Sequence, residues 1–404
     1  MISKVMYFHY QRSLRDGSHV HTEEFESAFR RLCAARNIAF SVVAPTLETG
    51  IAGPESVASK VRHFLAKMYL RDFNVLLSQW RRARVEQAIL KEERPDIVLT
   101  RFDDSTLSIL WACKREKIPV VIEVNAPDDE NSGQYRRLAW FKRLFSNAHA
   151  IQLSDGGFAV SDQVADPIRP FALGLKPFVT IPNGVDVQRF RPDISGSVVR
   201  LRHAIPQDLV VLGFVGSFAP WHGLDMLVEA VTHLLKENLP VHLLLVGQTN
   251  PKWQALIDQV RRPGLEQYVT LSGFVAPQDI PSYIAAMDIT VLPNAADYCS
   301  PLKLFEYMAM ARPTVAVGIA PVAAMLANGV EGALFPKGNV DALTARLREL
   351  VVDREVRQRL GSAARSRMEK EFTWRHNAER VFGLLERVLQ VNRHPSSGQQ
   401  TPKE

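Results

Sequence analysis

Short apolar runs rich in β-branched residues alternate with helix-length amphipathic segments along nearly the whole 404-residue chain. Consecutive parallel strands need a crossover of roughly a dozen residues or more, usually a helix, so this alternation predicts an α/β fold built on doubly wound parallel sheets. The strands expected in the first half are Lys4 to Phe8, Ala39 to Ala44, Asp96 to Thr100, Pro119 to Val124 and Phe178 to Ile181. Those expected in the second half are Val210 to Val215, Val241 to Val246, Val269 to Leu271, Ile289 to Leu292, Thr314 to Ala316 and Ala333 to Phe335. At ~150 residues per domain the chain is too long for one module. Its 46% hydrophobic content supplies two cores.

A boundary near Asp186 is expected in IPNGVDVQRFRPD, where a strand runs into a Pro-Asn-Gly turn and a polar stretch. The domains are then 1–186 and 187–371, with a terminal helix over 372–391 packing back toward the first domain. Residues 392–404 lack an apolar face and are expected to form a disordered tail. Lys plus Arg is 49 against 43 Asp plus Glu, and a net charge of +6 is too mild to call for nucleic acid. No apolar run reaches the ~18 residues of a membrane span, and the N-terminus turns polar after Phe8, so a cytoplasmic chain is expected. Cys33, Cys113 and Cys299 lie far apart and match no zinc spacing, so neither a disulfide nor a metal is expected.

The segment ITVLPNAADYCSPLKLFEYMAMARPTVAV, residues 289 to 317, carries the most chemistry. A buried strand ends in a small polar loop that opens a helix, with Ser300, Pro301, Leu302 and Lys303 at its start. The free N–H groups of a first turn, the positive end of the helix dipole and a mobile ammonium together make a seat for a phosphate. Glu306 lies one turn on, placed to receive the hydroxyls of a ribose. An ordinary solvated Lys–Glu pair is the plain alternative.

The string SPLKLFEYMAMARPTVA resembles the nucleotide-sugar motif of the retaining group 1 glycosyltransferases, family four, of GT-B fold. FVGSFAPWHGLDMLVEAV, VHLLLVGQ, VTLSGFVAPQDIPSYIAAMDITVLP, VEGALFPKGNVDALTARLREL and FTWRHNAERV resemble the rest of that family's C-terminal half, in order. RDGSHVHTEEFESAF, AVSDQVADPI and VTIPNGVDVQRF resemble parts of its N-terminal half. The resemblance implies two Rossmann-like domains facing each other across a cleft and transfer of a sugar from a nucleoside-diphosphate donor, UDP- or GDP-linked, to a glycan or lipid-linked acceptor. Bacterial surface polysaccharide or glycolipid synthesis is the implied setting, without a metal cofactor. A non-catalytic nucleotide-sugar-binding or scaffold protein and a nucleotide-sugar epimerase remain the alternatives.

Residue by residue, the resemblance assigns Gly216, Ser217 and Gly247 to the donor loops, with His222, Lys303 and Asn125 as candidate catalytic groups. The family usually carries two glutamates seven residues apart. Glu306 matches the second, but the first falls on Tyr298, so Asp297 or the loop backbone takes its role, or Tyr298 only packs at the loop mouth. Ser217 and His222 stand where many relatives have Arg and Lys, so any help from His222 would depend on pH near the imidazole reference value of ~6.5. Asn125 stands where relatives have a histidine, with Glu123 and Asp128 nearby. Gly17, before the first helix, and Glu123 are expected on the acceptor side. His19 and His21 are two apart, which on a helix points them to different faces.

Residues 59–85 and 134–145 mix Arg and Lys with Trp, Phe and Tyr. Such faces suit an anionic lipid surface, which predicts peripheral docking on the inner face of a membrane; a core-facing aromatic stripe with solvated bases is the alternative.

Overall fold

The computed structural model describes residues 2–10, 17–44, 71–102, 107–127, 143–144, 146–172, 176–248 and 254–393. The chain divides into two units, Met1–Pro182 with Ala378–Glu404, and Asn183–Asn377. The division falls ahead of Asp186 because Asn183 is already tied into the second unit, its Nδ2 donating to Ser300 O at 2.7 Å.

The first unit runs β1 (Lys4–Phe8), α1 (Gly17–Ala35), β2 (Ala39–Val43), α2 (Arg71–Glu93), β3 (Ile97–Phe102), α3 (Leu107–Glu116), β4 (Val120–Val124), α4 (Asn147–Leu153), β5 (Gly156–Ala159), α5 (Asp162–Ala165) and β6 (Phe178–Thr180). Its six strands are parallel in the order β2-β1-β3-β4-β5-β6. The second unit runs α6 (Ser197–Arg202), β7 (Val210–Val215), α7 (Leu224–Lys236), β8 (Val241–Val246), α8 (Gln254–Val260), β9 (Val269–Leu271), α9 (Ile280–Ala285), β10 (Ile289–Leu292), α10 (Leu302–Ala309), β11 (Thr314–Val317), α11 (Ala320–Met325), β12 (Gly332–Phe335), α12 (Val340–Val352) and α13 (Arg354–Glu371). Its order is β12-β11-β10-β7-β8-β9. Strand order reverses between β7 and β10, and open α/β sheets take their ligands outside the carboxyl ends of the strands at such a point.

The central strands β7, β8 and β10 of the second unit are buried on both faces, which is why they read as apolar runs rich in Val, Ile and Leu rather than alternating ones. α7 buries Leu224, Leu227, Val228, Val231 and Leu234 at helical spacing, each stabilising by about 1.5–3 kcal/mol for a fully buried aliphatic side chain. Asn339 and Asp353 cap α12 and α13, accepting from the N–H groups of Ala342 and Val356.

The last helix, α14 (Trp374–Arg393), runs past the expected end at 391, so Asn392 and Arg393 are helical rather than tail. Residues 394–404 lie outside the described residues. From Ala378 onward α14 belongs to the first unit, where Phe382 meets Phe29 at 6.4 Å between ring centroids. No described helix is long and apolar enough to cross a membrane. Cys33, Cys113 and Cys299 are free thiols.

Candidate donor site

The carboxyl end of β7 runs through Gly216, exposed Ser217 and a short 3-10 turn over Pro220–His222 into α7. Gly223, at φ +66°, makes the entry into α7, and a Cβ there would lie 3.0 Å from Asn294 Cβ. Asn294 Nδ2 in turn donates to Trp221 O at 3.0 Å, joining the loops that follow β7 and β10. At the end of β8, Gly247 lies so close to its neighbour that a Cβ would fall 1.9 Å from Gly216 O. Gly247 is therefore required for the ends of β7 and β8 to meet, whatever ligand the loops hold.

The loop after β10 turns at Asp297 and Tyr298, where Cys299 N–H donates to Ala296 O at 3.0 Å. Asp297 is exposed and forms an ion pair with Lys337 at 2.7 Å. Ser300 is buried, and its hydroxyl lies between Asn183 N–H at 3.3 Å and Met325 Sδ at 4.0 Å. It pins the loop to the Asn183 backbone. Pro301 is the cap residue, one position outside the first turn where it was expected, and no side chain caps α10. The N–H groups at Leu302 and Lys303 are left as the orphan donors of a helix start.

α10 is held firmly. Tyr307 is fully buried and its hydroxyl accepts from Val215 N–H at 2.7 Å, while Arg365 donates to Ala309 O at 2.7 Å and to Phe190 O at 2.6 Å. These anchors bring half-buried Lys303 and Glu306 to the switch point.

Lys303 Nζ lies 4.4 Å from the Phe214 ring centroid and 3.4 Å from each ring nitrogen of His222. A Cβ on Gly216 would come within 2.8 Å of the same ammonium. Burial against these rings pulls Lys303 down to about 8, against the opposing pull of Cys299 and Glu306. Burial, with Lys303 beside it, also pushes His222 down to about 3. The expected titration of His222 near 6.5 is therefore corrected: the imidazole is neutral throughout the neutral range, and Lys303 carries the charge. An ammonium only donates, so the facing imidazole nitrogen accepts.

In the first unit Gly17 is the first residue of α1. His19 pairs outward with Glu23 at 3.0 Å, while His21 turns inward to Glu123 at 2.6 Å. Asn125 is half-buried just past β4, and Glu123, expected on the acceptor side, is fully buried beside it and so is closed to direct contact with an acceptor. Asp128 lies outside the described residues, as do 59–70, 134–142 and 145 of the basic segments. Sequence reasoning passed over Phe214, Tyr307 and Arg365, and it named His21 without its partner Glu123. The first three read as ordinary core or helix residues, and only their partners show what they hold.

Sequence models of two families match the chain: "Glycosyltransferase Family 4" over residues 16–189 and "Glycosyl transferases group 1" over residues 210–353. The chain belongs to the group 1 glycosyltransferases. Among curated relatives, D-inositol 3-phosphate glycosyltransferase of Stackebrandtia nassauensis is 29% identical over 231 residues, 54% of this chain and 51% of the relative. Spore coat protein SA of Bacillus subtilis is 25% identical over 245 residues, 56% of this chain and 64% of the relative. The chain spans about half the length of the first of these relatives. The fold is GT-B. A glycosyltransferase of Rickettsia africae superposes with a TM-score of 0.75 at 15% identity, covering 96% of this chain and 99% of that one. Anabaena Alr3699/HepE in complex with UDP and glucose superposes at 0.66 and 18% identity, covering 95% and 99%.

Proposed function

We propose that this group 1 glycosyltransferase moves a sugar from a nucleoside-diphosphate sugar to an acceptor hydroxyl, and that its second unit holds the donor. The carrying observation is the Lys303 ammonium, desolvated between Phe214 and His222 beside the glycine turn at Gly216. As the diphosphate leaves, negative charge grows on its oxygens. A fixed ammonium and the uncapped start of α10 stabilise that charge without reorganising solvent. Glu306, one turn beyond Lys303, is the group for the ribose hydroxyls. Within this reading transfer proceeds with retention and without a metal cofactor.

UDP is the first donor nucleotide to try, because Alr3699/HepE was crystallised with UDP and glucose; GDP is the second. The acceptor in this reading is a glycan or lipid-linked sugar of surface polysaccharide or glycolipid synthesis. α2 supports docking on an anionic membrane: Leu77, Trp80 and Val85 are exposed on it, with the Arg84 guanidinium 3.6 Å from the Trp80 ring centroid. Flotation with anionic vesicles at physiological salt checks the docking, and a protein that stays at the bottom refutes it.

One observation favours a second reading, non-catalytic nucleotide-sugar binding. With Ser217 and neutral His222 at the loop, the cation count there is lower than the resemblance leads one to expect. The experiment that decides is thermal shift with UDP, GDP, ADP, CDP and dTDP, followed by transfer assays on Lys303→Ala and Glu306→Ala. A nucleotide at 100 times its Kd stabilises by ~2.7 kcal/mol. Binding with a loss of transfer of at least about tenfold in both variants supports the enzyme. Binding without transfer in wild type supports the second reading, and no shift with any nucleotide refutes both.

A further inference from the structure

Glu123, the penultimate residue of β4, is fully buried where α1 covers the sheet. Its Oε1 lies 2.6 Å from His21 Nε2 and accepts from Asn125 Nδ2 at 2.8 Å. Burial alone would raise this carboxyl, but His21, Arg101 and Asn125 together hold it at about 2, so it is ionised at every working pH. An ionised carboxylate only accepts, so Asn125 must turn its NH2 toward Glu123. The amide oxygen Oδ1 then occupies the other branch of the side chain. Asn125 is half-buried at the carboxyl end of β4, the edge from which open α/β sheets meet ligands.

We propose that Glu123 is a positioning residue that locks the Asn125 amide with Oδ1 outward, so that this position accepts a hydrogen bond from a sugar hydroxyl. Asn125 thereby offers what a neutral imidazole would offer, one N–H inward and one lone pair outward. A sugar carrying a hydroxyl there is favoured over one carrying fluorine or hydrogen. The inference rests on the sugar-transfer reading, and its test separates the two.

The test uses the full chain with UDP-glucose, UDP-galactose, UDP-N-acetylglucosamine and GDP-mannose as donors, nucleoside-diphosphate release as readout, and binding of UDP and GDP as control. Nucleotide binding stays within about twofold of wild type in every variant, because the nucleotide is assigned to the second unit. Asn125→Ala lowers turnover about tenfold, while Asn125→His retains most of it. Asn125→Asp sets a second carboxylate against Glu123 and loses about a hundredfold at pH 8. It recovers as pH falls, because the new carboxyl, once protonated, donates O–H to Glu123 and turns its carbonyl outward. The other groups facing this layer are Tyr7 and His9 from β1 and its end, Arg101 from β3, and His21 and Glu26 from α1. They are common to wild type and variant, so the difference between the two pH profiles isolates position 125.

Asn125→Asp with the wild-type profile, or Asn125→His no better than Asn125→Ala, overturns the lock. If no donor is turned over, side-chain amide hydrogen exchange decides. Protection of the Asn125 NH2 by about tenfold or more, lost in Glu123→Met, which offers no acceptor oxygen, upholds the lock, and exchange of the wild-type amide at the free-amide rate overturns it. Failure of every nucleotide to bind sinks the transfer reading instead.

Discussion

Each of the two units is built on its own six-stranded parallel sheet, but they place their polar groups differently. Among the described residues of the second unit no carboxylate is buried, and the groups proposed for the donor stand at its rim: His222 after β7, Lys303 and Glu306 on α10. The first unit buries Glu86, Glu123, His9 and His21 beneath its helices. An apolar core with chemistry at its edge can exchange site residues at little cost to folding. A core that contains the polar network cannot, because an unpaired buried charge or hydrogen-bonding group is costly. Changes in the second unit should therefore separate function from stability, whereas changes in the first should couple them through pH.

The largest effect is expected at Glu86 on α2. Its Oε1 accepts from the hydroxyls of Ser108, at 2.9 Å, and Tyr10, while Oε2 has no partner among the described residues. Burial pushes this carboxyl up from 4.5 to about 8, against the weaker pull of Ser108. Between those values the folded chain keeps a proton that the unfolded chain has released. Stability from this group is thus full below about 4.5, falls by about 1.4 kcal/mol per pH unit across the window, and levels off above about 8. Glu86→Gln removes the titration and keeps the acceptor for both hydroxyls. Calorimetry should find the variant melting above wild type at pH 8 and not at pH 5. Parallel curves over that range would break the contrast between the units.

At the rim of the second unit, Lys303→Ala should cut transfer about a hundredfold, in line with removing one preorganised donor from a developing anion. Its thermal midpoint should move by no more than about 2 °C, since the variant also relieves a desolvated charge. A fall in stability as large as the fall in transfer would mean that the ammonium holds the fold, and the comparison would fail from the other side.

A smaller effect sharpens the same point. Lys303 sits at about 8, so affinity for a nucleotide sugar, whose diphosphate does not titrate here, should be flat from pH 6 to 7.5. Above pH 8 it should weaken by up to about tenfold per unit as the ammonium loses its proton. Lys303→Arg should keep the affinity flat there, because a guanidinium stays charged. A break near 6.5 would point to His222 instead and contradict its neutral state.

Much of the fold is legible in the sequence because buried parallel strands declare themselves as apolar runs. β1, β7, β8, β9 and β10 lie where the runs begin and end. β5 does not. Its residues, Gly156 to Ala159, have no β-branched side chain, because space rather than propensity decides there. A Cβ on Gly156 would lie 2.7 Å from Val388 on α14, and one on Gly157 would lie 2.8 Å from the Phe178 ring. The candidate site is legible where it is contiguous, from Pro301 to Glu306, and opaque where it is assembled. His21 and Glu123 sit on different elements, and only the β1-α1-β3-β4 wrapping brings an imidazole onto that carboxylate. Ser300 was legible as a loop residue, but which way its hydroxyl turns depends on Asn183, across a long stretch of chain.

The smallest effect concerns Asp297, which stands beside Tyr298 where the family resemblance calls for a glutamate. In the structure its carboxylate is exposed and paired with Lys337, and exposed pairs of this kind contribute about 0–1 kcal/mol. A carboxylate held that way has partial company and full access to water, so it need not face the sugar at all. Asp297→Ala should leave transfer within about threefold of wild type and stability within about 1 kcal/mol. Lys337→Ala separates the two roles: if Asp297 serves the donor sugar, freeing it from Lys337 changes transfer while Asp297→Ala abolishes most of it. If the pair is only a surface contact, the two variants behave alike, and the loop backbone around Tyr298 is left to meet the sugar.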